Sequence, residues 1–487
     1  MVQWVTLKCQ GKQFNLRHQP MRSMKNIQKS TGIALFFILS ILTAIVVTRL
    51  IPPIQSPDEN VHLMRADMIS HGQWLLLPGS ASKGREGGLV DSNFVVFAES
   101  MMGISGNGAP KEKTPALLTE LGQKKWAHQE QFANAAGTGY YLPIIYAPHA
   151  LGLFVARKLD LTMGASYEVI RVLVVATSII LLGWAFSLYT PNLLSLMLLA
   201  TPMALFQLNS PTIDGLCMAM AILAIGLWFH VSASRQYLED GKFSWHEACL
   251  YGLIVVLCTA RTNLLPTLLI PLTLTVSRPT KERILSVAGM YALTAGWIIF
   301  GVSTTYDSRV VREHTTSTVL LNYLSRPIEF FELVQRTVSD SEIRKFYRHS
   351  YFGILGWLDT PISRAAVRIF SAFTAIAAVI LIFATPWRSD WKKRGLLLLI
   401  GITSTVLIFF ALAVSWSNYP TDKISGIQGR YFLIPTLFMA AALGRAEAGG
   451  RISKPIEAIA LIIFLTYSFF ILTTTLATQY RLDSLYF

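Results

Sequence analysis

The chain has 487 residues, 52% of them hydrophobic and 14% charged, with a mean hydropathy of +0.46. Charged residues make up about a quarter of an ordinary soluble domain, so these numbers argue against a cytosolic enzyme, and so apolar and aromatic a chain is not a disordered one. Lys and Arg outnumber Asp and Glu by 42 to 28, a formal excess of 14. In a membrane protein such an excess sits on cytoplasmic loops and against anionic lipid. No basic-aromatic module for nucleic acid is visible.

Residues 1–30 read as a basic cytoplasmic tail, carrying Lys8, Lys12, Arg17, Arg22, Lys25 and Lys29 and no acid. The first apolar run follows, ending in Arg49-Leu50-Ile51-Pro52-Pro53 rather than in a small-residue cleavage site, so no cleavable signal peptide is expected. A bilayer span needs about 20 mostly apolar residues. Eleven candidates fit, at about 31–50, 169–190, 192–208, 213–233, 247–260, 263–277, 284–303, 365–386, 395–415, 431–446 and 455–477. The predicted fold class is therefore all-α and polytopic. The segment 140–158 holds Pro143, Pro148 and His149 and reads as a juxtamembrane or re-entrant helix. Counting it as a span would move every later basic connection to the outer face.

With eleven spans, residues 51–168, 304–364 and 416–430 lie outside. Residues 31–303 then form one transmembrane module that includes the outer loop 51–168. An outer loop at 304–364 and C-terminal transmembrane helices from 365 to 487 complete the chain. Gly79 to Gly88 and Gly103 to Pro110 read as turns or mobile loops within the first outer segment. No internal repeat is evident, which disfavours transporters built from inverted repeats. Cys9 lies in the tail and Cys217, Cys249 and Cys258 lie in apolar runs, so no structural disulfide is expected.

Five polar clusters fall on the outer side by this parity. Ser56-Pro57-Asp58-Glu59 follows the first span, with His62 and Arg65 at i+4 and i+7 from Asp58 on one helix face. Acids in a first turn complement a helix N-terminus; they also suit a general base or a metal ligand at the membrane surface. Asp214 stands where one span ends and the next begins, as a helix cap or as a functional acid. Arg261 interrupts the apolar stretch 248–276, either snorkelling or binding phosphate. Gly353 to Thr360 carries Trp357 and Asp359, which fit interfacial anchoring or sugar contact. Gly426-Ile427-Gln428-Gly429-Arg430-Tyr431 opens the span at 431, and its glycines allow close backbone approach.

These residues resemble the GT-C superfamily, multi-pass glycosyltransferases that use polyprenyl-phosphate sugars outside the cytoplasmic membrane. The shared features are the acids after the first span, the segment from Tyr140-Tyr141-Leu142-Pro143, and Asp214. Within it, Pro57-Asp58-Glu59, Thr138 to Tyr141, Gly353 to Asp359 and Gly426 to Tyr431 resemble one bacterial multi-pass family. That family is catalogued as a domain of unknown function and related to GT-C enzymes. The resemblance covers about residues 31–450. Its members often carry Lys near position 261, where this chain has Arg.

The resemblance implies an inner-membrane enzyme with a cytoplasmic N-terminus and a periplasmic active site. It would move a hexose from undecaprenyl phosphate to a polysaccharide such as the O-antigen of lipopolysaccharide. Asp58 would be the base, with Glu59 orienting it or joining it at a divalent metal ion, and Asp214 the second acid. Arg261 and Arg430 would hold the donor phosphate, with His62, Arg65, Tyr140, Tyr141, Trp357, Asp359, Gln428 and Tyr431 lining the site. The loop 72–137 would cover the acceptor. A flippase for lipid-linked glycan is the rival class. It calls for polar residues deep in the bilayer, and the span 284–303 contains no charged residue.

Overall fold

A computed structural model describes residues 19–79, 84–104, 114–234, 237–238, 241–307, 309–310, 313–444 and 454–480. The basic residues before position 19, Cys9, most of Gly103 to Pro110, Arg235, Arg445 and Arg451 lie outside these. The described chain is mostly helical. Seven helices are long and apolar enough to cross a bilayer: Gly32–Leu50, Met163–Leu188, Ile213–Ala233, Lys281–Thr304, Arg364–Ala384, Trp391–Ser415 and Pro455–Tyr480. Each coincides with an expected span.

The other four expected spans are shorter or broken, and the sequence supplies the breaks. The run 192–208 forms two helices, Leu193–Leu199 and Pro202–Leu208, because Thr201 caps the second and Pro202 cannot continue the first. Trp245–Ala260 has 16 residues and opens on a Ser244/Glu247 capping box. The run 263–277 starts as a 3-10 turn, Thr262–Leu268, with Pro266 inside, before Leu269–Ser277. Gly429–Phe432 is likewise a 3-10 turn ahead of Leu433–Ala442. The segment 140–158 becomes a 3-10 turn and the 12-residue helix Ala147–Lys158, about 18 Å long and so too short to span. It packs along Met163–Leu188, where Gly152 lets the two backbones approach.

The first helix begins at Gln19, inside the stretch expected to be a tail. The expectation that 72–137 is a loop also needs correction. Strands Leu77–Pro78, Arg85–Asp91 and Glu130–Asn134 form an antiparallel sheet in sequence order, and Asp91 caps the helix Ser92–Met102. Gly87 and Gly88 are strand residues, not turn residues. Cβ atoms there would collide with the Ala133 carbonyl and Phe132 ring, or with Gln73 and Met68. Residues 313–363 form structure too, in helices Thr316–Ser325, Pro327–Ser339 and Ser341–Gly353 and a two-strand hairpin, Ile354–Leu355 with Thr360–Pro361.

The helix ends that the charge pattern assigned to one side do meet at one end of the bundle. At the other end Arg283 and Glu247, both fully buried, form a two-pronged ion pair at 2.7 and 3.0 Å. Arg283 also caps the carbonyls of Gly241, Lys242 and Arg278. Sidedness is open to direct measurement through two exposed positions at opposite ends, Gln131 and Ser389. With a membrane-impermeant maleimide on intact cells, Gln131→Cys should label and Ser389→Cys should not, against the parent chain as control. The reverse pattern would turn the molecule over in the bilayer.

Candidate functional site

The loop from Ile51 to Asp58 is stiff. Ile54 and Asp58 both take left-handed backbone conformations, with φ of 64° and 62°. Such a φ is an outlier for a β-branched residue and tolerable for Asp. Glu59 holds this loop. Its carboxylate, 1% exposed, accepts from the Ile54 and Ser56 N–H groups at 3.1 and 2.9 Å and from the Tyr167 hydroxyl at 2.6 Å. Arg171 donates to the Thr48 and Ile51 carbonyls, Gln55 to the Met101 carbonyl and Trp357 to the Ile54 carbonyl. Burial holds the Glu59 carboxyl above its ordinary value, against the pull of Tyr167, Ser56, Arg171 and Ile54.

The clamp turns Asp58 outward. It precedes the helix Glu59–Ser70 and its side chain makes no capping bond. Instead Arg309 donates to one carboxylate oxygen at 2.9 Å, and Arg430 lies 3.5 Å from the other. Burial works to raise the Asp58 carboxyl, but Arg430, Arg309, His62 and Arg261 outweigh it and hold it below its ordinary value. The group is therefore ionised at neutral pH, and 40% of its side chain is exposed.

Arg430 also reaches Asp214, at 3.8 Å, and Asp214 pairs closely with Arg261. Asp214 sits in the first turn of Ile213–Ala233, after Thr212, whose side chain makes no capping bond, and its carboxylate goes to the guanidiniums. Gly215 lets this turn press on the Gln207 carbonyl and Leu208. Arg261 caps the end of Trp245–Ala260. Arg430 is 4% exposed, and its Nε and Nη1 find no hydrogen-bond acceptor. Arg309, from the segment after Lys281–Thr304, is gripped by Asp307 at 2.8 and 2.9 Å and lies over the Trp416 ring. Asp58, Asp214 and Asp307 face Arg261, Arg309 and Arg430, so the cluster is formally neutral while one buried cation has donors to spare.

His62 lies beside this cluster, its Nδ1 2.8 Å from the Tyr146 hydroxyl and its ring against Tyr141. Burial pushes the imidazole down to about 3, so it is neutral at physiological pH. Burial raises the Tyr141 phenol, with Arg261 and Asp58 acting on it in opposite directions. Tyr431 packs under Arg430, whose Cζ is 5.3 Å from its ring centre. The Gln428 side-chain carbonyl is buried and has no partner.

Three expected site residues, Arg65, Trp357 and Asp359, bond elsewhere through their side chains. Arg65 points away from Asp58 and binds the Gln73 and Trp74 carbonyls; Asp58 is not a helical residue, so i+7 spacing did not align them. Tyr140 offers its carbonyl to Trp297. Trp357 braces the 51–58 loop from behind, and Asp359 accepts from Thr360 in the hairpin turn. The Glu59 oxygens accept from the loop N–H groups and Tyr167, while those of Asp58 face Arg309 and Arg430. Among the described residues no cluster of three His, Cys, Asp or Glu side chains could hold a metal ion. Arg309 was missed in the sequence. Its signal was a charged Asp307-Ser308-Arg309 step immediately after a span.

A family profile described as "Predicted membrane protein (DUF2142)" matches residues 37–439. No curated protein and no solved structure matches the chain.

Two measurements on purified protein in detergent follow. Glu59→Gln keeps the size but turns an N–H donor toward a backbone N–H, so it should cost about 1–3 kcal/mol, read as a lowered melting temperature. A parent-like melt would remove the clamp. His62 titrates near 6.5 unfolded and about 3 folded, so the unfolded state takes up the proton first and stability falls on acidification. Between pH 6.5 and 5 this amounts to about 2 kcal/mol. His62→Gln should flatten the melting profile over that range; an unchanged slope would rule His62 out as its source.

Proposed function

We propose a function for a chain that belongs to the DUF2142 family of membrane proteins: transfer of a hexose from a polyprenyl-phosphate donor to a cell-surface glycan such as O-antigen. The observation that carries the reading is the ring of Asp58, Asp214, Arg261, Arg309 and Arg430 at one end of a bundle of long apolar helices. The fold is then of GT-C type, with eleven crossings. The N-terminus is cytoplasmic and the cluster faces the periplasm of a bacterial inner membrane.

An inverting transfer needs a base for the acceptor hydroxyl and positive charge for the departing phosphate. Asp58 is ionised, partly open and held by a rigid loop, so it suits the first role. The acceptor oxygen attacks the anomeric carbon while its proton passes to the Asp58 carboxylate. The bond from that carbon to the phosphate oxygen breaks, and the electron pair leaves with polyprenyl phosphate. Arg430, with unused donors in a poorly solvated position, suits the second role, and Arg261 and Arg309 flank it. The donor phosphate competes with Asp58 for Arg309 and Arg430, so donor binding loosens the resting ion pairs and frees the base. Glu59 positions the loop. Asp214 orients Arg261 and Arg430. No step requires a metal ion.

The test is transfer from a polyprenyl-phosphate hexose, with protein amount controlled. Asp58→Asn should lower turnover roughly 10²–10⁴-fold. Arg430→Ala should lower turnover as well as donor affinity, because the phosphate needs the cation most in the transition state. Arg261→Lys should keep partial activity and Arg261→Ala almost none, since Lys keeps charge but loses the fork. Normal transfer by Asp58→Asn would reject Asp58 as the base. Lipid-linked sugar accumulating inside deletion cells, with no loss of transfer in vitro, would favour a flippase.

A further inference from the structure

The segment joining Trp391–Ser415 to the turn Gly429–Phe432 carries features that the transfer chemistry leaves unused. Trp416 follows the helix directly and keeps 37% of its surface open. A Trp at a membrane edge ordinarily anchors in lipid. Here the indole belongs to the charge cluster instead: Arg309, which holds Asp58, lies over the ring with its Cζ 5.6 Å from the centre. Gly426, at φ 79°, lays bare backbone against the indole, where any Cβ would collide with Cδ1 and Nε1. The ring is thus seated by Arg309 and Gly426.

Two residues beyond Gly426 the Gln428 side-chain carbonyl is buried without a donor, and two further on Arg430 has Nε and Nη1 buried without an acceptor. Native proteins seldom leave such atoms unpaired. A ligand that pairs both must bring a hydroxyl donor and an anion. One that also covers an open indole must bring an apolar face. A hexosyl phosphate has all three: a C–H face on its ring, hydroxyls around it, and a phosphate beside it.

We propose that Trp416 and Gln428 form the hexose subsite next to Arg430, with Trp416 stacking on the C–H face of the sugar and Gln428 accepting a hydrogen bond from one of its hydroxyls. The inference rests on the donor class proposed above and assigns which residues read its sugar. Gly426 sets the distance between the ring and the backbone that carries Gln428. The hexose then lies on the open part of the Trp416 ring beside Arg309, with its phosphate toward Arg430.

Equilibrium binding to the full chain in detergent tests this without relying on turnover. The probes are decaprenyl phosphate and its glucose, galactose and mannose esters. The parent should prefer at least one hexosyl form over bare decaprenyl phosphate by about tenfold. Trp416→Ala should abolish that preference, with affinity for the preferred ester falling about tenfold more than affinity for bare decaprenyl phosphate. Trp416→Phe should keep part of it, and Gln428→Leu should reduce it. Arg430→Ala should weaken all probes alike. A Trp416→Ala variant that keeps the preference, or loses affinity for every probe equally, overturns the subsite. A parent that binds all four probes alike overturns the subsite and leaves the donor class standing. A parent that binds none overturns both.

Discussion

Arg430 is a guanidinium buried to 4% exposure at the mouth of a helix bundle, and that position is tolerable only because Asp58 and Asp214 are both within reach. Its charge ties together three parts of the chain far apart in sequence: the loop after the first span, the first turn of Ile213–Ala233 and the 3-10 turn at Gly429. Neither carboxylate sits at full hydrogen-bonding distance, so the cation is neutralised without being saturated. An uncompensated buried charge is costly, and a partly compensated one is a standing attraction for an anion. The neighbouring pairs, Arg261 with Asp214 and Arg309 with Asp307, keep the cluster formally neutral.

The adjacent acids Asp58 and Glu59 show how environment divides labour between identical chemistries. Glu59 faces inward, gives its oxygens to two backbone N–H groups and a tyrosine, and is held above its ordinary value by burial. Asp58 faces the arginines and is held below its own. The left-handed turn at Asp58 separates them, and the strain of that turn and of Ile54 is borne by the Glu59 contacts and by Trp357. Strained backbone held by buried partners is a common way to preset a reactive side chain.

Part of this site was legible before any coordinates. Asp58, Asp214, Arg261 and Arg430 stood out because each is a charge at the edge of an apolar run, and an apolar run makes a charge conspicuous. Arg309 stood out less, since it lies in a segment with no periodicity to read. Arg65, Trp357 and Asp359 bond outside the charge cluster, because spacing and proximity in sequence do not say which way a side chain turns. The 72–137 segment misled through its glycines, which serve strand crossing at Gly87 and Gly88.

Hydropathy by itself determined that the chain is a polytopic helical membrane protein, and the charge pattern placed its polar clusters toward one end, because burial in hydrocarbon acts on each segment locally. Pro202 and Pro266 marked where apolar runs break, again by local backbone chemistry. The cluster itself was decided only in tertiary structure. Whether Arg430 meets Asp58, whether Glu59 faces a metal or its own loop, and whether Trp416 faces lipid or Arg309 depend on how helix ends pack. Those contacts join residues up to hundreds of positions apart, and only the packing of the whole bundle fixes their geometry.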